Sequence, residues 1–456
     1  MINYLRRAIL ILFAVTLVGC VGGNASRWGH FHGDPANQGF YPLDSGFALS
    51  SSWSSNPYRI TSSSPVIGLD FQRREVLYVG TTNAKLVAIR AEDGSEKWQR
   101  TLGAADSKTR IVSSPSISNK GDIYIITNHM AADGRGRSTL HKVDQYSNPK
   151  WSYAFPDNGF TTGSPKVITS ADSTLIFIYV SVGMVDDIQG ELFVLRDDGR
   201  RAQLLDRQAL GTCRFDVPAS PVSFEDVMST IDETRELIGE FPVKLDESDA
   251  VLSDRFVDPT PAIVTDRQNP LIAVADSLCS IGVFEWNGAE LAVLWRQAHG
   301  FDKHSSAAVL ASGLMVFGRQ DGKVQAHDVL TGVKMWEYEA GEAVFATPAG
   351  SPQPSVFVVS KDHLQAIKAA DGALIRDANF SGRLPLIGST HSSPAVTANR
   401  VYVSAFEMLT ATYDLKTRVS DTNFHGNGLS SIAIGRDGAV YGVAIDGTIR
   451  KYAGTH

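Results

Sequence analysis

Three cysteines, one pair of histidines and two short charged runs are the residues of this chain whose chemistry packing does not obviously use up. Cys20, Cys213 and Cys279 are all of its thiols, and none stands in a Cys-x-x-Cys spacing, so thiolate metal sites and dithiol redox chemistry have no footing. His30 and His32 flank Phe31. On a strand, their alternation would put both rings on one face, as a metal site requires, but no third ligand is identifiable; the competing expectation is a lead-in segment packed by Trp28 and Phe31. Gly134-Arg135-Gly136-Arg137 and Asp186-Asp187 fall in long hairpins. The first could meet an acidic partner and the second could hold calcium, although each is more simply a solvated turn. The Gly-x-Ser-x-Gly elbow, the phosphate-cradling Gly-x-x-x-x-Gly-Lys and the His-Glu-x-x-His pair are all missing, which removes the enzyme classes they mark. No catalytic residue, metal ligand set or cofactor is expected.

Cys20 belongs to a different chemistry. Arg6 and Arg7 precede an apolar run from Ala8 to Val18 that ends in Leu17-Val18-Gly19-Cys20. The run falls short of the roughly 20 residues that span a bilayer, so it reads as a secretory signal over residues 1–19, with a transmembrane anchor as the alternative. The tetrad resembles the bacterial lipobox, in which the cysteine is acylated and becomes the first residue of the mature chain. That resemblance implies attachment to a membrane through lipid on Cys20, each buried methylene contributing roughly 0.8 kcal/mol. Val21 in place of aspartate implies the periplasmic face of the outer membrane. Residues 20–48 then form a tether and lead-in segment, beginning with the flexible Gly22-Gly23-Asn24-Ala25-Ser26. An exported compartment permits Cys213 and Cys279 to pair. The formal charge of −7, two units more negative once Arg6 and Arg7 leave, opposes nucleic-acid binding.

The elements that must position these residues come from a repeat of about 40 to 50 residues. Its opening is Ser63-Ser64-Pro65, then Ser113-Ser114-Pro115, Gly163-Ser164-Pro165, Pro259-Thr260-Pro261, Ser305-Ser306-Ala307, Ala346-Thr347-Pro348, Ser392-Ser393-Pro394 and Ser430-Ser431-Ile432, eight in all. Each opens an inner strand, and a β-branched or aromatic run such as Val76-Leu77-Tyr78-Val79 follows it. Third strands such as Val324-Gln325-Ala326-His327 and Leu409-Thr410-Ala411-Thr412 lead in several units to an Asp-Gly or Thr-Gly turn, where glycine tolerates positive φ. Asp93, Asp198 and Asp371 are therefore turn residues rather than catalytic acids. Trp98, Trp151, Trp295 and Trp336 recur in fourth strands and are placed to dock between units. The chain is expected to be all-β, an eight-bladed propeller of four-stranded antiparallel blades over residues 49–456.

Two features break the pattern. The last unit stops at His456 without a fourth strand, whereas Leu49-Ser50-Ser51-Ser52-Trp53 is a fourth strand without a unit, so the N-terminal strand is expected to close the ring and remove two sheet edges. Between units three and four about 45 extra residues are inserted, at about 206–257. Within it Phe224, Val227, Met228 and Ile231 lie on a partly amphipathic helical pattern, either packed on the propeller or offered as anchors to a protein partner.

The recurring opening, the hairpin core and the ending Asp93-Gly94-Ser95-Glu96-Lys97-Trp98 closely resemble the quinoprotein-type (PQQ-like) propeller repeat, across nearly all of residues 49–456. That repeat serves both pyrroloquinoline-quinone dehydrogenases, with a calcium-bound cofactor on the propeller axis, and BamB-type lipoproteins of the outer-membrane β-barrel assembly machinery, so it specifies a fold and not a function. The resemblance to the second implies a lipid-anchored periplasmic scaffold with protein partners at the outer membrane. The alternative is a quinone-dependent dehydrogenase, whose alcohol-oxidising members carry an adjacent cysteine pair that Cys213 and Cys279 do not form. Oligomeric state is not encoded in any motif.

Overall fold

The computed structural model describes residues 28–43, 48–60, 62–103, 108–130, 136–170, 173–184, 187–212, 259–276, 280–298, 304–351, 355–360, 363–379, 392–404, 411–414, 419–421, 429–444 and 446–455. They form an all-β propeller of eight four-stranded antiparallel blades. Blade one consists of Val66–Leu69, Glu75–Gly80, Lys85–Arg90 and Glu96–Thr101. Its middle strands read as continuous apolar runs because blades on both sides cover them, and only the outer strand is largely open. Blade four runs from Ala262–Val264 through Leu271–Ala275 and Ser280–Trp286 to Leu291–Ala298, and blade five from Ala308–Val309 through Leu314–Gly318 and Lys323–Asp328 to Lys334–Glu339. In blade seven the third strand is described over Ala411–Asp414; Leu409 and Thr410 of its sequence pattern lie outside the described residues. The outer strand of blade three is Ala202–Thr212, so residues 206–212 belong to a blade rather than to the insertion expected there.

The repeated opening has a structural cause. Its second residue uses both its amide and its hydroxyl to bind neighbouring blades. The amides of Ser64, Ser114, Ser164 and Thr260 donate at 2.9–3.0 Å to the hydroxyls of Ser114, Ser164, Thr260 and Ser306, each in the next blade. Thr347, Ser393 and Ser431 continue the series onto Ser393, Ser431 and finally Ser64. Each hydroxyl satisfies an amide near the axis that would otherwise be buried unpaired. The first serine works within its blade: Ser63 Oγ and Ser305 Oγ accept the amides of Gly80 and Gly318.

The outer ends of the blades are joined by indole rings. Trp98, Trp295 and Trp336 donate through Nε1 to the carbonyls of Gln145, Val329 and Ala369, in the turn after the third strand of the next blade. Trp151 instead reaches the Asp197 carboxylate at 3.0 Å, which also takes Tyr124 at 2.7 Å and Lys142 at 2.6 Å. The glycines of these turns, Gly94, Gly332 and Gly372, have φ of 72–74°. A Cβ at Gly332 would stand 2.6 Å from the Trp295 ring, so backbone strain and indole packing both demand glycine.

The strand Ala48–Ser54 pairs antiparallel with Ile449–Thr455 as the outer strand of blade eight, and Trp53 donates to Ala91 O of blade one at 3.2 Å, the same clasp that Trp98, Trp295 and Trp336 make. Across blades one, two, four, five, six and eight the outer strand bulges at one place, between the residues that pair with its partner on either side of Lys97, Lys150, Leu294, Met335, Ile375 and Ser52. Such bulges twist an edge and discourage edge-to-edge pairing.

Candidate functional site

The inner edges of the blades present unpaired amides to the axis, and residues 28–43 cover them. The carbonyls of Trp28, Gly29, Pro35, Ala36, Gln38 and Gly39 accept the amides of Ile67, Ile117, Ile263, Val309, Gly350 and Val396 at 2.7–2.9 Å. Each donor is the second residue after the proline of its opening, or after Ala307, which replaces it in blade five. Blade three contributes a side chain instead: Lys166 Nζ donates to Phe31 O and Asp34 O, both at 2.8 Å. Trp28 and Tyr41 share an apolar cluster with Ile432 and Ile434 of blade eight. One short segment therefore touches every blade, and it does so by curling inside the ring.

The curl is held by two buried polar residues in left-handed backbone, His32 with φ 56° and Asn37 with φ 57°. Asn37 Nδ2 donates to Thr260 O at 3.1 Å and Ala307 O at 2.9 Å. His32 lies 2.7 Å from Asn37 O through Nδ1 and 2.7 Å from Pro394 O through Nε2. Both partners are acceptors, so only the imidazolium could donate to both; burial opposes that charge and prevails, holding the ring's pKa at about 4. Gly39 has φ 63°, and a Cβ there would lie 2.2 Å from His32 Nε2. Burial likewise pulls Lys166 down to about 7 against the pull of Asp34, and pushes the Asp34 carboxyl up.

This overturns the strand geometry considered for His30 and His32. They sit in a turn, His30 Nδ1 faces Ser116 Oγ at 3.2 Å, and His32 faces carbonyls. Trp28 is buried and Phe31 half-buried. No three His, Cys, Asp or Glu side chains converge on a metal position among the described residues. A calcium-bound quinone on the axis needs cations and oxygen ligands facing open space, and the described axial residues do not fit it: six inner-strand amides and Lys166 are bound to the chain's own carbonyls.

An open site lies between blades four and five. A cavity of 180 Å³ is lined by Ile281, Gln297 and Ala298 from blade four and by His304, Phe317, Arg319, Gln325, His327 and Lys334 from blade five. Three pairs of facing residues build the blade-five wall: His304 with Arg319, Phe317 with Gln325, and His327 with Lys334. The His327 ring is stacked between Trp295 and Phe317, with centroids at 6.1 and 5.7 Å. Burial lowers the pKa of His327, and Arg319 and Lys334 bring a guanidinium and an ammonium to the lining. Arg319 meets Asp321 at 3.1 Å and Lys334 meets Glu337 at 3.0 Å, but no carboxylate is among the lining residues.

Cys20, Cys213, Cys279, Phe224, Val227, Met228 and Ile231 all lie outside the described residues, as do Gly134, Arg135 and Asp186. Lys166 and Asn37 were not singled out from sequence. Lys166 carried a signal, because it stands where other openings have Val66, Ala262, Ala308, Ala349 and Ala395. The cleft carried none, since its lining comes from two blades that only the fold sets side by side.

A family profile described as outer membrane protein assembly factor BamB matches residues 50–154 and 268–452. Among solved structures, BamB from Moraxella catarrhalis is similar with a TM-score of 0.55 and 12% identity, over 89% of this chain and 100% of that one. A europium-containing methanol dehydrogenase is similar with a TM-score of 0.56 and 12% identity, over 91% and 88%. A quinohemoprotein alcohol dehydrogenase from Pseudomonas putida gives 0.57 and 11%, over 94% and 81%. Likeness at this identity speaks for the fold alone. No curated protein matches the sequence.

Proposed function

The chain belongs to the outer membrane protein assembly factor BamB family, and from that premise we propose that it is a non-enzymatic, protein-binding scaffold anchored by lipid on Cys20 at the periplasmic face of the outer membrane, where it aids outer-membrane protein assembly. The observation that carries the non-enzymatic reading is the closed axis. Residues 28–43 occupy the inner-strand amides of six blades and the ammonium of a seventh, where a dehydrogenase of this fold would place its quinone. Binding is then left to loops and outer edges held on a rigid ring. The segment after Thr212, with Phe224, Val227, Met228 and Ile231, is a proposed partner contact, and replacing residues 224–239 by a Gly-Ser linker should remove captured partners while the fold persists.

Calorimetric titration with pyrroloquinoline quinone and calcium is the deciding test of class. No binding heat is expected, and stoichiometric binding would replace the scaffold reading with the dehydrogenase. In vivo crosslinking followed by identification of the captured chains tests the location: outer-membrane assembly components are expected, and their absence from the wild-type capture would remove the assembly role.

A further inference from the structure

We propose that the cleft between blades four and five receives an acidic side chain of a partner polypeptide, flanked on that partner by apolar residues. This deepens the scaffold reading and rests on it. Two independent observations meet here. The first is the cleft itself: Arg319 and Lys334 supply cationic side chains, Ile281 and Phe317 supply apolar wall, Gln297 and Gln325 line it with amides that donate to Gly332 O and Glu337, and the carboxylates that meet the two cations, Asp321 and Glu337, stand outside the lining, although the chain as a whole carries a formal charge of −7. A guanidinium and an ammonium facing one small cavity match a carboxylate in charge, and the guanidinium also in planar geometry.

The second is the edge around it. At the bulge of the outer strand blades one and two carry Lys97 and Lys150, the residue type that keeps a sheet edge solvated. Blades four, five and six carry Leu294, Met335 and Ile375 at that position, exposed by 42%, 52% and 48%. Val293 stands exposed beside Leu294 on the strand that also supplies Gln297 to the cleft, and exposed Val333 directly precedes the strand that supplies Lys334 and Met335. A cationic hollow bordered by apolar edge is complementary to an acidic residue between apolar neighbours. It offers little to a free phosphate, which would use the charge and ignore the border.

The test uses the intact chain and ligand-observed saturation-transfer NMR with acetyl-Leu-Glu-Leu-amide, acetyl-Leu-Gln-Leu-amide and inorganic phosphate as probes. The glutamate peptide should bind with a Kd on the order of millimolar, and the glutamine peptide at least about tenfold more weakly. Arg319→Gln should abolish the difference between the peptides, while Asp321→Asn, which removes a carboxylate 3.1 Å from the guanidinium, should tighten the glutamate peptide; melting curves establish that both variants are folded. Equal binding of the two peptides, or phosphate binding without glutamate-peptide binding, overturns the proposal. Either result leaves partner capture by crosslinking untouched, so failure of the cleft and failure of the scaffold reading are distinguishable.

Discussion

The axis and the edge of blades four and five use similar residues to opposite ends. On the axis Lys166 and His32 are buried against the chain's own carbonyls, with His30, beside the Ser116 hydroxyl, and Asp34 half-buried near them. At the edge a lysine, two histidines and an arginine surround a cavity. The difference teaches where this propeller has capacity to spare. Polar groups enclosed between the lead-in and the inner strands stabilise a shape, and those that line a cavity, although they too have partners in the chain, can recognise something else. The axis should therefore answer to perturbation with lost stability, and the edge with lost binding.

The largest effect expected is from deleting residues through Tyr41, which uncovers six inner-edge amides at once and strips Lys166 of both its carbonyl partners. Such a chain should fail to give a cooperative melt. Extending the deletion through Asn56 also removes the outer strand of blade eight and the Trp53 clasp, and should leave no native population. A truncated protein with the full-length melting curve would show that the lead-in is dispensable and would break the comparison at its root.

Next is the clasp between blades two and three. Asp197→Ala deprives Lys142 and Tyr124 of their 2.6 and 2.7 Å partner and Trp151 of its acceptor. Removing one side of a buried ion pair costs about 3–5 kcal/mol, and chemical denaturation should read that loss as a lowered midpoint. A cost below about 1 kcal/mol would mean that Asp122, 2.9 Å from Lys142, carries the pair alone.

The axis should also weaken in acid. His32 titrates near 6.5 in an unfolded chain and at about 4 in the fold. Between those values the unfolded state holds the extra proton, so stability declines as pH falls from about 6.5 to about 4 and is unaffected by this group above that window. The full loss is on the order of 3 kcal/mol. His141, also held at about 4 by burial, titrates in the same window, so the measurement is the difference between wild type and His32→Gln. Identical pH profiles of melting temperature would remove His32 from the account.

The smallest effect belongs to the edge. Arg319→Gln should change unfolding free energy by no more than about 0.5 kcal/mol, because its Asp321 partner is itself partly exposed. A loss comparable to that of Asp197→Ala would make the cleft a structural joint and collapse the contrast between the two regions.

Much of this fold is legible without coordinates. The opening triplets recur because their second residue ties blade to blade, and Trp98, Trp151, Trp295 and Trp336 recur because each indole must reach an acceptor on the neighbouring blade. A demand repeated in every blade leaves a repeated residue. The orphan strand at Trp53 was visible for the same reason. The curl of residues 28–43 was not, because it occurs once: His32, Asn37 and Lys166 answer three different blades, and no periodicity marks them. His30 and His32 even suggested a strand, since alternation is the same in a line of text whether the backbone is extended or turned through positive φ.

The sequence by itself determined the all-β class, the eight units and the kinds of residue that join them, because those depend on local patterning multiplied around a ring. Tertiary structure alone decided that residues 28–43 cover the inner strands and that a cleft lies between blades four and five. Both facts depend on which blades face each other across distances the chain spans only when folded. Phe31 lies 135 residues from Lys166, and no local rule of spacing could have brought them within 2.8 Å.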